Sequence, residues 1–119
     1  MRESRMARLS HEFQQEIAMI IHRELKDPRL GFVTITKVDL SKDLSYAKVS
    51  FSCLGDERER ELSQEALEHS ASFIYGLLKK RFRLRKIPHL SFRYDESIAG
   101  SIAMAEMLQQ IKREHEQET

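Results

Sequence analysis

At 119 residues, with 40% hydrophobic and 33% charged residues, the chain can bury one core, which excludes both a multidomain enzyme and a globally disordered polymer. Its net charge of +1, from 20 basic and 19 acidic residues, excludes a uniformly cationic nucleic-acid binder, so any anion recognition must come from local segregation of charge. One cysteine, Cys53, excludes an intrachain disulfide framework and fits a reducing compartment.

The first helix is predicted over residues 4–25. Met6, Leu9, Phe13, Ile17, Ile20, Ile21 and Leu25 step by three and four, while Arg5, Arg8, Glu12 and Glu16 fall on the other side. Pro28 ends it, because the residue before a proline is pushed out of the helical region. No apolar run here approaches the roughly 20 residues that cross a bilayer, and the N-terminus has arginines without a signal-peptide core. A soluble, cytoplasmic protein with no membrane partner is expected.

A β-branched strand over 32–40 and a polar hairpin loop over 41–45 follow. The second strand, 46–53, alternates. Ala47, Val49, Phe51 and Cys53 point to the core, whereas Tyr46, Lys48, Ser50 and Ser52 point to a wet face. That wet face lacks the aromatic set on which an RRM stacks bases, so RNA contact is expected from helices or loops. Cys53 continues the packed side and reads as a small core residue.

A long helical segment is predicted over 62–86. Leu62, Ala66, Phe73, Leu77 and Leu84 form one line on the period of about 3.6, with Leu67, Ile74, Leu78 and Phe82 beside it. The segment starts acidic, thins to Ser70-Ala71-Ser72 and ends in a run where six of eight residues are basic: Lys79, Lys80, Arg81, Arg83, Arg85 and Lys86. The helix dipole alone accounts for acids at the start and bases at the end. It needs one or two cations, however, not six. Pro88 closes the segment. Leu90, Phe92 and Tyr94 then alternate as a third strand, expected parallel to the second because a strand–helix–strand crossover intervenes. Residues 97–101 read as a turn, and Met104, Met107, Leu108 and Ile111 mark a last helix that frays from about residue 114 into an acidic tail.

No chemistry of catalysis is legible. The five histidines form no i, i+4 pair and no Cys/His set, and four glycines build no P-loop, dinucleotide fingerprint or nucleophile elbow. No enzyme activity, cofactor or metal is expected. The candidate site is an RNA surface. Ser72 and Gly76 lie four apart ahead of Lys79 and Arg83, so that small residues admit a sugar-phosphate backbone and cations hold it. This is the logic of a KH module, although no GxxG loop occurs. The RNA-binding set is therefore Arg2, Arg5, Arg8, Ser70, Ala71, Ser72, Gly76, Lys79, Lys80, Arg81, Arg83, Arg85 and Lys86. The competing reading is a protein-interaction module that docks a basic partner on Glu61, Glu65 and Glu68.

An ordered set of segments resembles the ribosome-binding factor A family of bacterial small-subunit assembly factors. The set comprises the helix from Arg5 to Ile21, Leu25-Lys26-Asp27-Pro28-Arg29-Leu30-Gly31-Phe32-Val33-Thr34-Ile35-Thr36, Val38-Asp39-Leu40-Ser41-Lys42-Asp43-Leu44 and Ala47-Lys48-Val49-Ser50-Phe51. It continues with Phe73-Ile74, Leu77-Leu78 to Arg83-Leu84-Arg85, and Pro88, Leu90, Phe92, Tyr94, Asp95 and Ser97. The resemblance implies one α+β domain over 1–119 with a type II KH-like fold of order α-β-β-α-β-α, the long helix kinked, and a three-stranded mixed sheet packed on helices. It implies a monomer without enzymatic activity that binds the small ribosomal subunit and its rRNA in late assembly. It further implies a role in rRNA processing and cold adaptation, and functional coupling to ribosome-assembly GTPases. The family kinks its long helix at an Ala-x-Gly pattern. Here the triplet is Ser70-Ala71-Ser72, where a serine pair can bend a helix by bonding back to carbonyls.

Overall fold

A computed structural model describes residues 4–118, in the order α1 (Arg5–Glu24), β1 (Val33–Leu40), β2 (Tyr46–Cys53), α2 (Glu57–Arg81), β3 (His89–Tyr94) and α3 (Ile98–Glu118). Ser4 caps α1, its Oγ accepting from the Ala7 N–H at 3.0 Å, and Asp56 caps α2 by accepting from the Glu59 N–H at 2.9 Å. Each such cap contributes about 1 kcal/mol. Gly55 enters α2 at φ +122°, a conformation few other residues adopt.

The sheet has the order β1-β2-β3, with β1 antiparallel and β3 parallel to β2. A bulge between Ile35 and Lys37 resets the alternation of β1, so that Ile35 and Val38, three apart, both face the core. On that face α1 lies over β1 and α2 over β3 and β2. Phe13, Ile17, Ile20, Val49, Phe51, Leu67, Ile74 and Leu78 are fully buried between the layers. Both sheet edges are tied to helices. Gln14 Nε2 donates to the Ile35 carbonyl at the bulge of β1, and Gln64 Nε2 donates to the Phe92 carbonyl of β3 at 2.7 Å. Carbonyls that would otherwise invite another strand are thereby occupied.

Three expectations are corrected. First, α2 begins and ends five residues earlier than the sequence reading. It is one α-helix through Ser70-Ala71-Ser72 and stops at Arg81, with Phe82 extended at φ −107°, ψ 134°. Its buried stripe is Ser63, Ala66, Leu67, Ser70, Ile74 and Leu78, which leaves Phe73 49% exposed. Ser63 is a hub. Its Oγ accepts from the Gly31 N–H at 3.0 Å and lies 3.4 Å from the buried Cys53 Sγ, which itself donates to the Leu54 carbonyl.

Second, the outer face of β2 is wet only at Tyr46 and Lys48; Ser50 and Ser52 are buried. The start of α3 meets this end of the sheet, and Ser52 Oγ donates to the Gly100 carbonyl at 2.8 Å. Third, residues 98–101 are helix rather than turn, and α3 stays helical to Glu118. A Cβ on Gly100 would stand 2.2 Å from the Asp95 carbonyl oxygen, so only glycine lets the helix start this close to the exit of β3. Ser97 Oγ accepts from the Gly100 N–H and acts as the cap, while the Asp95 carboxylate accepts from the Ser97 N–H and from Thr36 Oγ1.

Candidate nucleic-acid interface

The cation cluster spans two kinds of backbone. Lys79, Lys80 and Arg81 occupy the last turn of α2, whereas Arg83, Arg85 and Lys86 lie on the connector of residues 82–88. That connector is held by its apolar members. Phe82 stacks on Phe13 of α1 at 4.4 Å between ring centroids, Ile87 and Pro88 are buried, and Leu84 is half-buried. Alternation in an extended segment then leaves Arg83 and Arg85 outward. From Phe82 to Arg85 basic and apolar residues thus alternate, the apolar ones turned to the core and the basic ones to solvent, until the chain bends at Arg85.

The cations are not equivalent. Arg81 is committed to α1: its guanidinium donates to Glu16 at 2.6 Å and lies 3.6 Å from Glu24. Lys86 Nζ donates to Ser45 Oγ at 2.6 Å in the β1–β2 loop. In that loop the Asp43 carboxyl is pulled down to about 2 by the Ser45 N–H and the Ser45 and Ser41 hydroxyls, with Lys86 nearby, so it stays anionic and partly offsets Lys86. Among the described residues, no carboxylate lies within ion-pair distance of Lys79, Lys80, Arg83 or Arg85, all exposed.

Of the remaining candidates, Arg5 and Arg8 are exposed on the first turns of α1, and Arg2 lies outside the described residues. Ser72 is exposed, Ala71 and Gly76 are half-buried, and a Cβ on Gly76 would meet nothing within 4 Å, so the space above it is open. Ser70 is corrected. It lies on the core stripe, 8% exposed, because the helix phase places it in line with Ala66, Ile74 and Leu78 rather than with Ser72. The acids of the competing reading sit partly in structural roles: Arg29 reaches Glu65 at 3.8 Å, and Gln64 donates to Glu68.

The structure adds residues that sequence reasoning did not select. Tyr46 and His89 are register partners at the starts of β2 and β3, their rings 6.4 Å apart. Tyr75 of α2 stacks on His89 at 5.4 Å and 7°. Three rings from three elements therefore meet at one edge, and only the parallel β2–β3 register could have signalled the pair Tyr46–His89. Lys48 and Arg93 lie farther along the same outer face and are also exposed. Among the described residues no group of three or more His, Cys, Asp or Glu could hold a metal ion, and no helix is long and apolar enough to cross a membrane.

The family model of ribosome-binding factor A matches residues 5–108. The chain is 42% identical over 118 residues to ribosome-binding factor A of Desulfitobacterium hafniense, covering 99% of this chain and 94% of that one. The crystal structure of ribosome-binding factor A from Thermus thermophilus superposes with a TM-score of 0.68 at 31% identity, covering 75% of this chain and 93% of that one. A homology model of the Thermus thermophilus factor, fitted into the cryo-EM map of its complex with the 30S subunit, superposes with a TM-score of 0.61 over 72% of this chain and 90% of that one, also at 31% identity. The arrangement of α1, the three strands and α2 is type II KH-like.

Proposed function

Because the chain belongs to the ribosome-binding factor A family, we propose that it binds the small ribosomal subunit through its rRNA during late assembly. It does so as a non-catalytic factor. In this reading it supports small-subunit rRNA processing and maturation, including at low temperature, and works in coupling with ribosome-assembly GTPases. It acts in the cytoplasm as a monomeric, single-domain protein. The observation that carries the reading is the set of exposed cations without carboxylate partners, Lys79, Lys80, Arg83 and Arg85, held at the end of α2 and on a connector anchored to the core. A relative of the same fold has been fitted into a 30S complex.

Arg5, Arg8, Ala71, Ser72, Gly76 and Lys86 complete the proposed RNA-binding set, to which Arg2, outside the described residues, also belongs. If about five phosphates are neutralised, counterion release makes affinity fall roughly five-hundredfold between about 50 and 200 mM salt. The test is co-sedimentation with purified small subunits across a salt series, comparing the wild type with Lys79→Ala/Arg83→Ala/Arg85→Ala. Steep salt dependence, flattened in the variant, supports the reading. Equal binding by the variant moves the site to the α1 arginines. Absence of binding to mature and immature subunits alike overturns it in favour of a protein-interaction module.

A further inference from the structure

We propose that Tyr46, His89 and Tyr75 form a stacking platform for unpaired bases of single-stranded RNA, with Lys79 and Lys86 holding the phosphates on either side. This rests on the RNA reading above and names what kind of RNA the site takes.

The three rings wrap the β3 edge of the sheet, Tyr75 stacked on His89 and Tyr46 tilted 43° to it. Tyr46 and His89 belong to the outer face by strand parity, and Tyr75 comes from the helix that covers the other face. Tyr46 is 68% exposed and His89 is exposed, so the three rings end in an open aromatic face rather than being consumed by the core. An aromatic ring kept in solvent at a strand start gains little from burial, whereas a base laid on it gains a full stacking contact.

The backbone beneath the platform is fixed. The His89 N–H donates to the Ser45 carbonyl at 3.0 Å, and Lys86 Nζ donates to the hydroxyl of the same Ser45, the residue before Tyr46. Lys86 is thereby pinned beside the first ring. Lys79 stands one turn beyond Tyr75 on α2, at the i+4 position that shares its face. Gly76, with open space above it, borders the third ring.

Cations flanking exposed rings select a ligand that is both anionic and aromatic, and they repel the arginine-rich or lysine-rich peptides that aromatic surfaces also attract. Nucleic acid meets both conditions. A duplex does not, because its bases are stacked on one another and its deep groove cannot admit a sheet edge; unpaired bases can be splayed onto the rings. The Asp43 carboxylate, held in its own loop by Ser41 and Ser45, offsets part of the Lys86 charge, so Lys79 is the stronger of the two phosphate-holding cations.

The experiment measures fluorescence anisotropy with an unstructured RNA of about ten nucleotides and a duplex of equal length, the size range one such groove covers. The wild type is expected to prefer the single strand. Tyr46→Ser/His89→Ala is expected to lose roughly tenfold or more on the single strand, with an unchanged salt slope, because stacking is not a phosphate contact. Lys79→Ala/Lys86→Ala is expected to flatten the salt slope, and Tyr46→Phe to bind as the wild type. Equal affinity of the wild type for both RNAs, or an unaffected Tyr46→Ser/His89→Ala variant, overturns the platform. If either occurs while small subunits still co-sediment, the assembly-factor reading stands without it; if the wild type binds neither RNA nor subunits, both fall. Photo-crosslinking of thiouridine RNA to the wild type guards against a variant that does not fold. Adducts at Tyr46, His89 or Tyr75 support the platform, and adducts confined elsewhere overturn it.

Discussion

Ser63 and Ser70 occupy core positions of α2, and they show how a polar residue comes to be buried. Ser63 is 0% exposed because its hydroxyl accepts the Gly31 N–H, which fastens the loop before β1 to the start of α2. Asp27 orders the same loop from the other side. Its carboxylate accepts the Arg29 N–H and the Arg29 Nε and Nη2, and these bonds hold its pKa at about 2 instead of 3.8. A carboxyl whose pKa is lowered on folding stabilises the protein above its unfolded value, and that stabilisation is lost as pH falls through the folded one. The stability advantage of the wild type over Asp27→Asn is therefore expected to hold at neutral pH and to shrink from about 3.8 down toward about 2. Urea unfolding at stepped pH measures it, and an advantage that persists at pH 2 would contradict the assignment. The sequence could not show the buried serines, because a hydrophobic-periodicity reading scores serine as surface. With Ser63 and Ser70 discounted, Leu62 and Phe73 pulled the predicted stripe out of phase.

At the scale of elements, the end of α2 joins two roles that the sequence presented as one run of charge. Phe82 and Arg81 are structural, while Lys79, Lys80, Arg83 and Arg85 are free to meet a ligand. Phe82→Ala is expected to cost about 2–3 kcal/mol, below the range for a fully buried phenylalanine, since the ring is half-buried and loses its stack on Phe13. Arg81→Ala is expected to cost no more than about 1 kcal/mol, the scale of a surface ion pair, and to leave small-subunit affinity nearly intact. Thermal unfolding and co-sedimentation on the same two proteins separate these effects; a large affinity loss in Arg81→Ala would refute its structural assignment. The helix boundary was illegible because Phe82 and Leu84 continue the helical spacing from Leu78 and Leu77, although here Phe82 is extended and ends the helix. The bulge in β1, by contrast, was open to reading: the apolar spacing from Ile35 to Val38 is three, where a regular strand needs two.

At the scale of the whole molecule, the order of elements and the parallel third strand followed from proline positions, strand alternation and the crossover rule, and the structure agrees with them. The docking of α3 did not follow, because it depends on contacts between residues about fifty apart, such as Ser52 and Gly100. Among the described residues of α3 only Gly100 is buried; Ala103, Met107 and Ile111 line a cleft against Ile21, Leu25 and Leu30, and Ile98 and Ile102 remain exposed. A chain ending at residue 97 is therefore expected to unfold in one cooperative step, at a cost of no more than about 3 kcal/mol, since half-buried side chains contribute a fraction of a full transfer energy each. Circular dichroism melts check this, and loss of the cooperative transition would mean that α3 belongs to the core.

Cys53 closes β2 at 1% exposure, and it is the one thiol in the chain. A reagent that modifies thiols can reach it only when β2 parts from the start of α2, so the protein carries its own opening clock. Where closing outpaces modification, the labelling rate tracks the open population. It should then rise about tenfold for each 1.4 kcal/mol of destabilisation. If the chain binds the small subunit as proposed, its stability could thus be followed in the complex, where spectroscopic melts are swamped, and the ratio of free to bound labelling rates would report how much the subunit stabilises the folded chain.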